Sequence, residues 1–190
     1  MNHLMIYTHP RKRSFNRAIL DAVTESLRQG GDEVIVRDLY GIGFQPVLGP
    51  SELLGGVGED VVREQSYVSW ADHVVFIYPL WWTGLPAMLK GYIDRVFSYG
   101  FAYKYDDGVQ IGLLAGKKAT LIHTQNKSAE QYEASGMGNA LRLTIDEGIL
   151  AYCGFEVNHH FVFDSILAST AEHRQTWLAQ LSERVRKSES

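Results

Sequence analysis

Three segments carry residue types that could act on a ligand. The first, His9-Pro10-Arg11-Lys12-Arg13-Ser14-Phe15-Asn16, runs into a helical pattern. The backbone N–H groups of a helix's first turn have no partner within the helix, and together with the helix dipole they can hold a phosphate. His9 and the Ser14 hydroxyl would add donors. A plainer reading makes Ser14 a helix cap, and this loop alone leaves both readings open. The second segment, Pro79-Leu80-Trp81-Trp82-Thr83-Gly84-Leu85-Pro86, sets two tryptophans just past the most apolar run in the chain. Its backbone N–H groups suit the polar edge of a flat ring such as isoalloxazine, and the indoles would supply an apolar wall. Successive side chains of an extended segment face opposite ways, so one tryptophan is expected at the site and the other in the core. The third segment spans residues 124–135.

These segments need elements to place them. Residues 4–7 form a short apolar run, followed by a polar turn and by a helical pattern over 15–28 that stops at Gly30-Gly31. Alternation over 33–37 predicts a second strand. Residues 41–58 hold many glycines with Pro46 and Pro50, and read as a long loop with one short helical turn. A helix over 59–71 leads to a buried strand over 73–78 that ends at Pro79, and Pro86 opens an amphipathic helix over 87–99. An aromatic connection follows, then a strand over 118–124, a helix over 138–152, a strand over 156–163 and a helix over 171–186. Alternating strands and helices imply a parallel sheet covered on both faces, with right-handed crossovers and a doubly wound order. In such sheets ligands bind beyond the carboxyl ends of the strands, where the three segments lie.

Composition narrows the function classes. The chain has 190 residues, 45% hydrophobic and 21% charged, which suits one domain over residues 1–190. A net charge of −4, with no basic run longer than Arg11-Lys12-Arg13, argues against nucleic acid or an anionic membrane as partner. A single cysteine, Cys153, excludes an intrachain disulfide, and its apolar neighbours make it a buried small hydrophobe. The chain opens into structure without a leader and has no membrane-length apolar stretch, so a cytoplasmic protein without membrane insertion is expected. His159 and His160 lie on a strand and face opposite sides, so no metal site is expected there. The charged tail over 183–190 reads as a solvated, fraying helix end.

The run from Tyr78 to Phe97, YPLWWTGLPAMLKGYIDRVF, resembles the signature of the NAD(P)H:quinone oxidoreductase family. His9-Pro10 with Ser14-Phe15-Asn16, then Phe101-Ala102-Tyr103, Gly148-Ile149-Leu150 and Cys153-Gly154-Phe155 resemble other parts of that family, in the same order along nearly the whole chain. The resemblance implies a flavodoxin-like α/β fold, a doubly wound five-stranded parallel sheet of order 2-1-3-4-5. It also implies a homodimer with a shared active site. The flavin would be FMN, with FAD the alternative, NAD(P)H the electron donor, and a quinone or similar small molecule the acceptor. Carried over by residue, His9, Ser14, Phe15 and Asn16 would hold the flavin phosphate, and Pro79, Leu80, Trp81, Trp82 and Thr83 would line the isoalloxazine. Thr124 and Gln125 fall in the third flavin loop. Tyr132 matches the tyrosine that stabilises charge on the flavin during hydride transfer. Trp82, Tyr103 and Tyr105 would border the substrate pocket, the two tyrosines reaching into the partner subunit's site.

The chain departs from the family in two places. Gln125-Asn126-Lys127 replaces a Thr-Gly-Gly stretch, and the histidine that assists the tyrosine has no counterpart at Glu133-Ala134-Ser135-Gly136-Met137. The C-terminal extension of the longer mammalian enzymes is lacking too, as in short bacterial members. The resemblance implies that donor and acceptor use one pocket in turn, two electrons moving together. Two other classes remain open: an electron carrier like flavodoxin, and a flavin-binding ancillary subunit of a potassium-efflux system.

Overall fold

Apolar runs decide which strands lie at the centre. In the computed structural model, which describes residues 1–187, β1 (Asn2–Tyr7), β3 (His73–Pro79) and β6 (Lys118–Thr124) are buried along almost their whole length. Strands covered on both faces read as continuous apolar runs for this reason. The less buried β2 (Glu33–Asp38) and β7 (Glu156–Phe163) form the edges, and the five parallel strands run β2-β1-β3-β6-β7. Counting sheet strands alone, this is the expected order 2-1-3-4-5. The two extra strands come from the aromatic connection, which forms an antiparallel hairpin of β4 (Tyr103–Asp106) and β5 (Val109–Gly112). Asp107 and Gly108 turn it, with φ of 48° and 79°.

Alternation along the central strands divides the core in two. Leu4, Ile6, Val74, Phe76, Tyr78 and Leu121 pack with residues of α3 (Glu59–Trp70) and α4 (Ala87–Val96). Met5, Tyr7, Val75, Ile77 and Ile122 pack against α1 (Phe15–Gln29) and α7 (Ala171–Lys187). Cys153 is buried, and burial pushes its thiol up to about 11, so it does not ionise near neutral pH. The tail is less solvated than its charges suggest, because Leu181 and Val185 anchor α7 on the sheet. Residues 188–190, the end of the expected fraying segment, lie outside the described residues. No helix among the described residues is long and apolar enough to cross a membrane.

The helix expected over 138–152 is present as one uninterrupted run over 137–151, but it changes its hydrogen-bond pattern along the way. After α5 (Ala129–Ala134), Gly136 takes φ 75°, α6 (Met137–Leu141) forms, and residues Arg142–Ala151 then continue as a π-helix. Ser128 starts α5 through a reciprocal capping box with Gln131.

Residues 41–58 are held down rather than loose. α2 (Pro50–Leu53) is the expected helical turn within them, and Arg95 of α4 binds Glu52, Asp60 and the Gln45 carbonyl at 2.6–3.1 Å. Hydrogen bonds from Arg95 hold both carboxyls below the usual carboxylate range. Because the folded values lie below the unfolded ones, this stabilisation is complete above about pH 4 and is lost as pH falls through the lowered values. Arg95→Lys keeps the charge but not the fork. It should lower stability at neutral pH by about 1.5 kcal/mol and flatten the acid limb of a plot of Tm against pH. An unchanged acid limb would place acid sensitivity outside this cluster.

Candidate active site

At the carboxyl end of β1, Thr8 donates its backbone N–H to the Ile77 carbonyl at 3.0 Å and its side chain is fully buried. Ser14 caps α1: its Oγ accepts from the Arg17 N–H at 3.1 Å and lies 3.2 Å from the Tyr7 hydroxyl. Capping engages the Arg17 amide and leaves those of Phe15 and Asn16 without a partner within the helix, so the two readings of this serine are compatible. His9 Nδ1 accepts from the Arg11 N–H at 3.0 Å. Burial lowers the His9 pKa, which favours the neutral ring, and Nδ1 also lies 3.3 Å from the Arg11 carbonyl oxygen. Arg11, Lys12 and Arg13 are exposed beside it.

Asn16 ties the first loop to the third. It is almost fully buried, and its Nδ2 donates to Thr124 Oγ1 at 2.8 Å. Its Oδ1 and the Thr8 hydroxyl find no hydrogen-bond partner among the described residues. A buried acceptor left unpaired is costly, so a ligand with hydroxyl donors has a reason to bind here.

The second loop leaves β3 with Leu80 donating to the Thr124 carbonyl at 2.8 Å, then closes a tight turn in which Trp81 and Gly84 exchange backbone bonds of 3.0 and 3.2 Å. Trp82 and Thr83, its central residues, take φ of 51° and 53°. This is the pattern of a type I′ turn, built here without glycine at either left-handed position. Such a backbone is strained for a bulky and a β-branched residue. The turn also corrects the expectation for the tryptophans: neither lies in the core, since Trp81 is 41% exposed and Trp82 fully exposed. An extended segment would alternate its side chains, but this segment is a turn.

Long-range contacts join the loops. The rings of His9 and Trp81 lie 6.5 Å apart, and Thr83 Oγ1 lies 3.2 Å from the hydroxyl of Tyr132, which is mostly buried on α5. Phe15 packs its ring against Phe163 and Trp177. A cavity of about 100 Å³ beside Tyr132 is lined by His123, Gln125, Glu133, Arg142 and His160. Among the described residues no group of three or more His, Cys, Asp or Glu is placed to hold a metal.

Tyr103 and Tyr105 lie elsewhere in this chain. Their partners are Tyr99 and Tyr152, with the Tyr105 and Tyr152 hydroxyls 2.8 Å apart. Tyr103 borders a larger cleft, of about 500 Å³, between the α2 region and the end of α4. Size does not locate the chemistry here: the strained turn and the unpaired buried atoms lie at the strand ends and line neither of these two cavities.

Sequence reasoning passed over a chain of polar side chains behind the third loop. His123 joins Gln125 and His160, and His160 joins Asp146 of the π-helix. A strand histidine two positions before Gln125 was the available signal, but its partners lie on other elements.

The residues fit a flavin nucleotide. An N-capped helix with adjacent cations suits a phosphate, an unpaired buried acceptor suits a polyol chain, and exposed indoles beside a tyrosine hydroxyl suit a flat ring with a polar edge. The Flavodoxin_2 family, described as having a flavodoxin-like fold, matches residues 1–187. A Haemophilus influenzae protein named as an uncharacterized NAD(P)H oxidoreductase is 40% identical, covering 82% of this chain and 80% of that one. NAD(P)H dehydrogenase [quinone] 1 of Cavia porcellus is 35% identical over 81% of this chain, which spans 65% of that longer protein. The crystal structure of a putative quinone reductase from Klebsiella pneumoniae superposes with a TM-score of 0.90 at 33% identity, covering 98% of this chain and 84% of that one.

Proposed function

We propose that this chain, which belongs to the Flavodoxin_2 family of flavodoxin-like fold, is an NAD(P)H-dependent flavin oxidoreductase that reduces quinones or related small acceptors. The observation that carries the reading is the convergence of three strand-end loops through Asn16–Thr124, Leu80–Thr124 and Thr83–Tyr132. A bound flavin supplies the hydride chemistry, taking a hydride from the nicotinamide and passing it to the acceptor. The protein's part is positioning. The Phe15 and Asn16 amides at the start of α1, the Ser14 hydroxyl and His9 hold the phosphate, and one such cradle suits FMN, with FAD the alternative. Asn16 Oδ1 accepts from the ribityl chain. The loop from Pro79 through Thr83 presents its backbone and its indoles to the ring and excludes water from one side. Tyr132, oriented by Thr83, donates a hydrogen bond where negative charge develops.

The active unit in this proposal is a homodimer. Exposed Tyr99 and Tyr105, with Leu53 and Leu54 exposed near the large cleft, offer an apolar face for a second copy, and Tyr105 can reach that copy's pocket.

Purified protein should show flavin absorbance or gain it on adding FMN or FAD, and should oxidise NAD(P)H in the presence of a quinone with parallel-line double-reciprocal plots. Mass analysis of the released flavin decides between FMN and FAD. A colourless protein that takes up neither would sink the proposal. One-electron exchange with protein partners and no turnover of NAD(P)H would make it a carrier. Light scattering of the active protein should give a dimer, and a fully active monomer would remove the shared site.

A further inference from the structure

Behind the third loop, four side chains make one continuous hydrogen-bonded line. Gln125 Nε2 lies 2.9 Å from the Lys127 carbonyl, which can only accept. The amide is therefore fixed with its NH2 toward Lys127 and its Oε1 toward His123 Nε2, at 3.1 Å. Since Oε1 only accepts, His123 carries a proton on Nε2. Burial, reinforced by His160, lowers His123 to about 4, so at neutral pH its other nitrogen is bare. That nitrogen, Nδ1, lies 2.9 Å from His160 Nε2 and accepts from it. His160 Nδ1 then faces both Asp146 oxygens, at 3.0 and 3.1 Å, with one proton between ring and carboxylate.

We propose that Asp146, His160 and His123 are positioning residues that use this one proton to set the orientation of the Gln125 amide, and through it the third loop. Removing the proton reverses the line. His160 Nδ1–H goes to Asp146, His160 Nε2 accepts from His123 Nδ1, and the bare Nε2 of His123 meets the Gln125 oxygen. Two lone pairs at that distance repel, and relief requires Gln125 to turn and give up Lys127. In this reversal the His160 Nε2 proton passes to His123 Nδ1, the His123 Nε2 proton is the one released to solvent, and Asp146 remains a carboxylate.

Register places this line. A bulge between Ala119 and Thr120 shifts β7 by one residue, so His160 pairs with Leu121 rather than Ile122. Leu121 and His123 share one face of the sheet, and the bulge brings His160 onto it. The other groups around the line leave the proton with it. Tyr78 of β3 is pushed far above its ordinary range by burial and by Asp146, so it stays protonated. Glu133 of α5 and Arg142, across the cavity, pair with each other at 3.3 Å. Arg184 of α7 borders the cleft on the outer side of His160, over the Phe161 ring.

The link to turnover rests on the flavin reading, but the proton line does not, and the test separates them. In the full chain without flavin, nitrogen NMR of labelled histidine at pH 7 should show His160 protonated on both nitrogens or sharing the Nδ1 proton with Asp146, and His123 as the Nε2–H tautomer. On raising the pH, His123 should switch to the Nδ1–H tautomer and the Gln125 NH2 signals should move with the same midpoint. His160→Gln should abolish the pH response of Gln125. A His123 ring that stays Nδ1–H throughout, or a Gln125 signal that ignores the His123 tautomer switch, overturns the proposal. With flavin added, the visible band should shift with that midpoint in the parent and not in His160→Gln. A band indifferent to the midpoint overturns the influence of the line on the flavin loop. Failure to bind flavin at all counts against the proposed function and leaves the histidine result standing.

Discussion

Replacing Tyr132 with Phe is expected to slow flavin reduction by NAD(P)H about 10- to 100-fold, or about 1.4–2.7 kcal/mol, with the flavin still bound. The ring of Tyr132 is mostly buried and Phe fills its place, so packing is kept. What is lost is a hydroxyl held 3.2 Å from Thr83 Oγ1 at the junction of the second and third loops. Binding draws mainly on the first two loops, whereas this donor matters most as negative charge develops, so the loss should fall on the rate. Stopped-flow absorbance at the flavin band reads the rate, and the ratio of flavin to protein reads retention. A Phe variant as fast as the parent would move charge stabilisation to another donor; a variant that loses its flavin would make Tyr132 a binding residue.

Gly91→Ala should cost more stability than any surface change. A Cβ at Gly91 would stand 2.0 Å from the Pro46 carbonyl oxygen and 2.4 Å from the Pro46 ring, distances no side-chain adjustment on α4 can relieve. The segment over 41–58 would have to lift, breaking the Arg95 bond to the Gln45 carbonyl and the Phe44–Tyr92 ring contact. A loss of about 3 kcal/mol is expected, a fall in Tm of roughly 6–12 °C for a chain of this size. Gly84→Ala is the control, because its added methyl would meet backbone only at 3.8 Å. Equal Tm values for the two variants would show that the loop yields freely and does not depend on close contact with α4.

The sheet was legible because the central strands, buried on both faces, leave uninterrupted apolar runs, and the rule that ligands sit beyond strand ends then located all three loops. The hairpin was legible too and was missed: Asp107-Gly108 between short alternating runs is a strong two-residue turn signal, hidden by the density of tyrosines around it. Other features lie outside any local pattern. The Thr83–Tyr132 contact joins residues far apart in the chain, and the turn that exposes both tryptophans has no glycine at its left-handed positions to announce it. The face that His160 occupies depends on a bulge that alternation cannot reveal. Asp146 meets it from a π-helix, whose wider turn breaks the periodicity by which helices are recognised.

The left-handed Trp82–Thr83 pair has a consequence for how this protein would change under selection. Each residue gives up on the order of 1–2 kcal/mol relative to glycine at the same φ. A library screened only for heat resistance or soluble yield should therefore accumulate glycine or asparagine at these two codons early, and the survivors would fold better and work worse. A library screened for turnover should keep the strained pair and recover its lost stability at distant positions. Sequencing the two populations would show which property natural ancestry has been scoring at this turn.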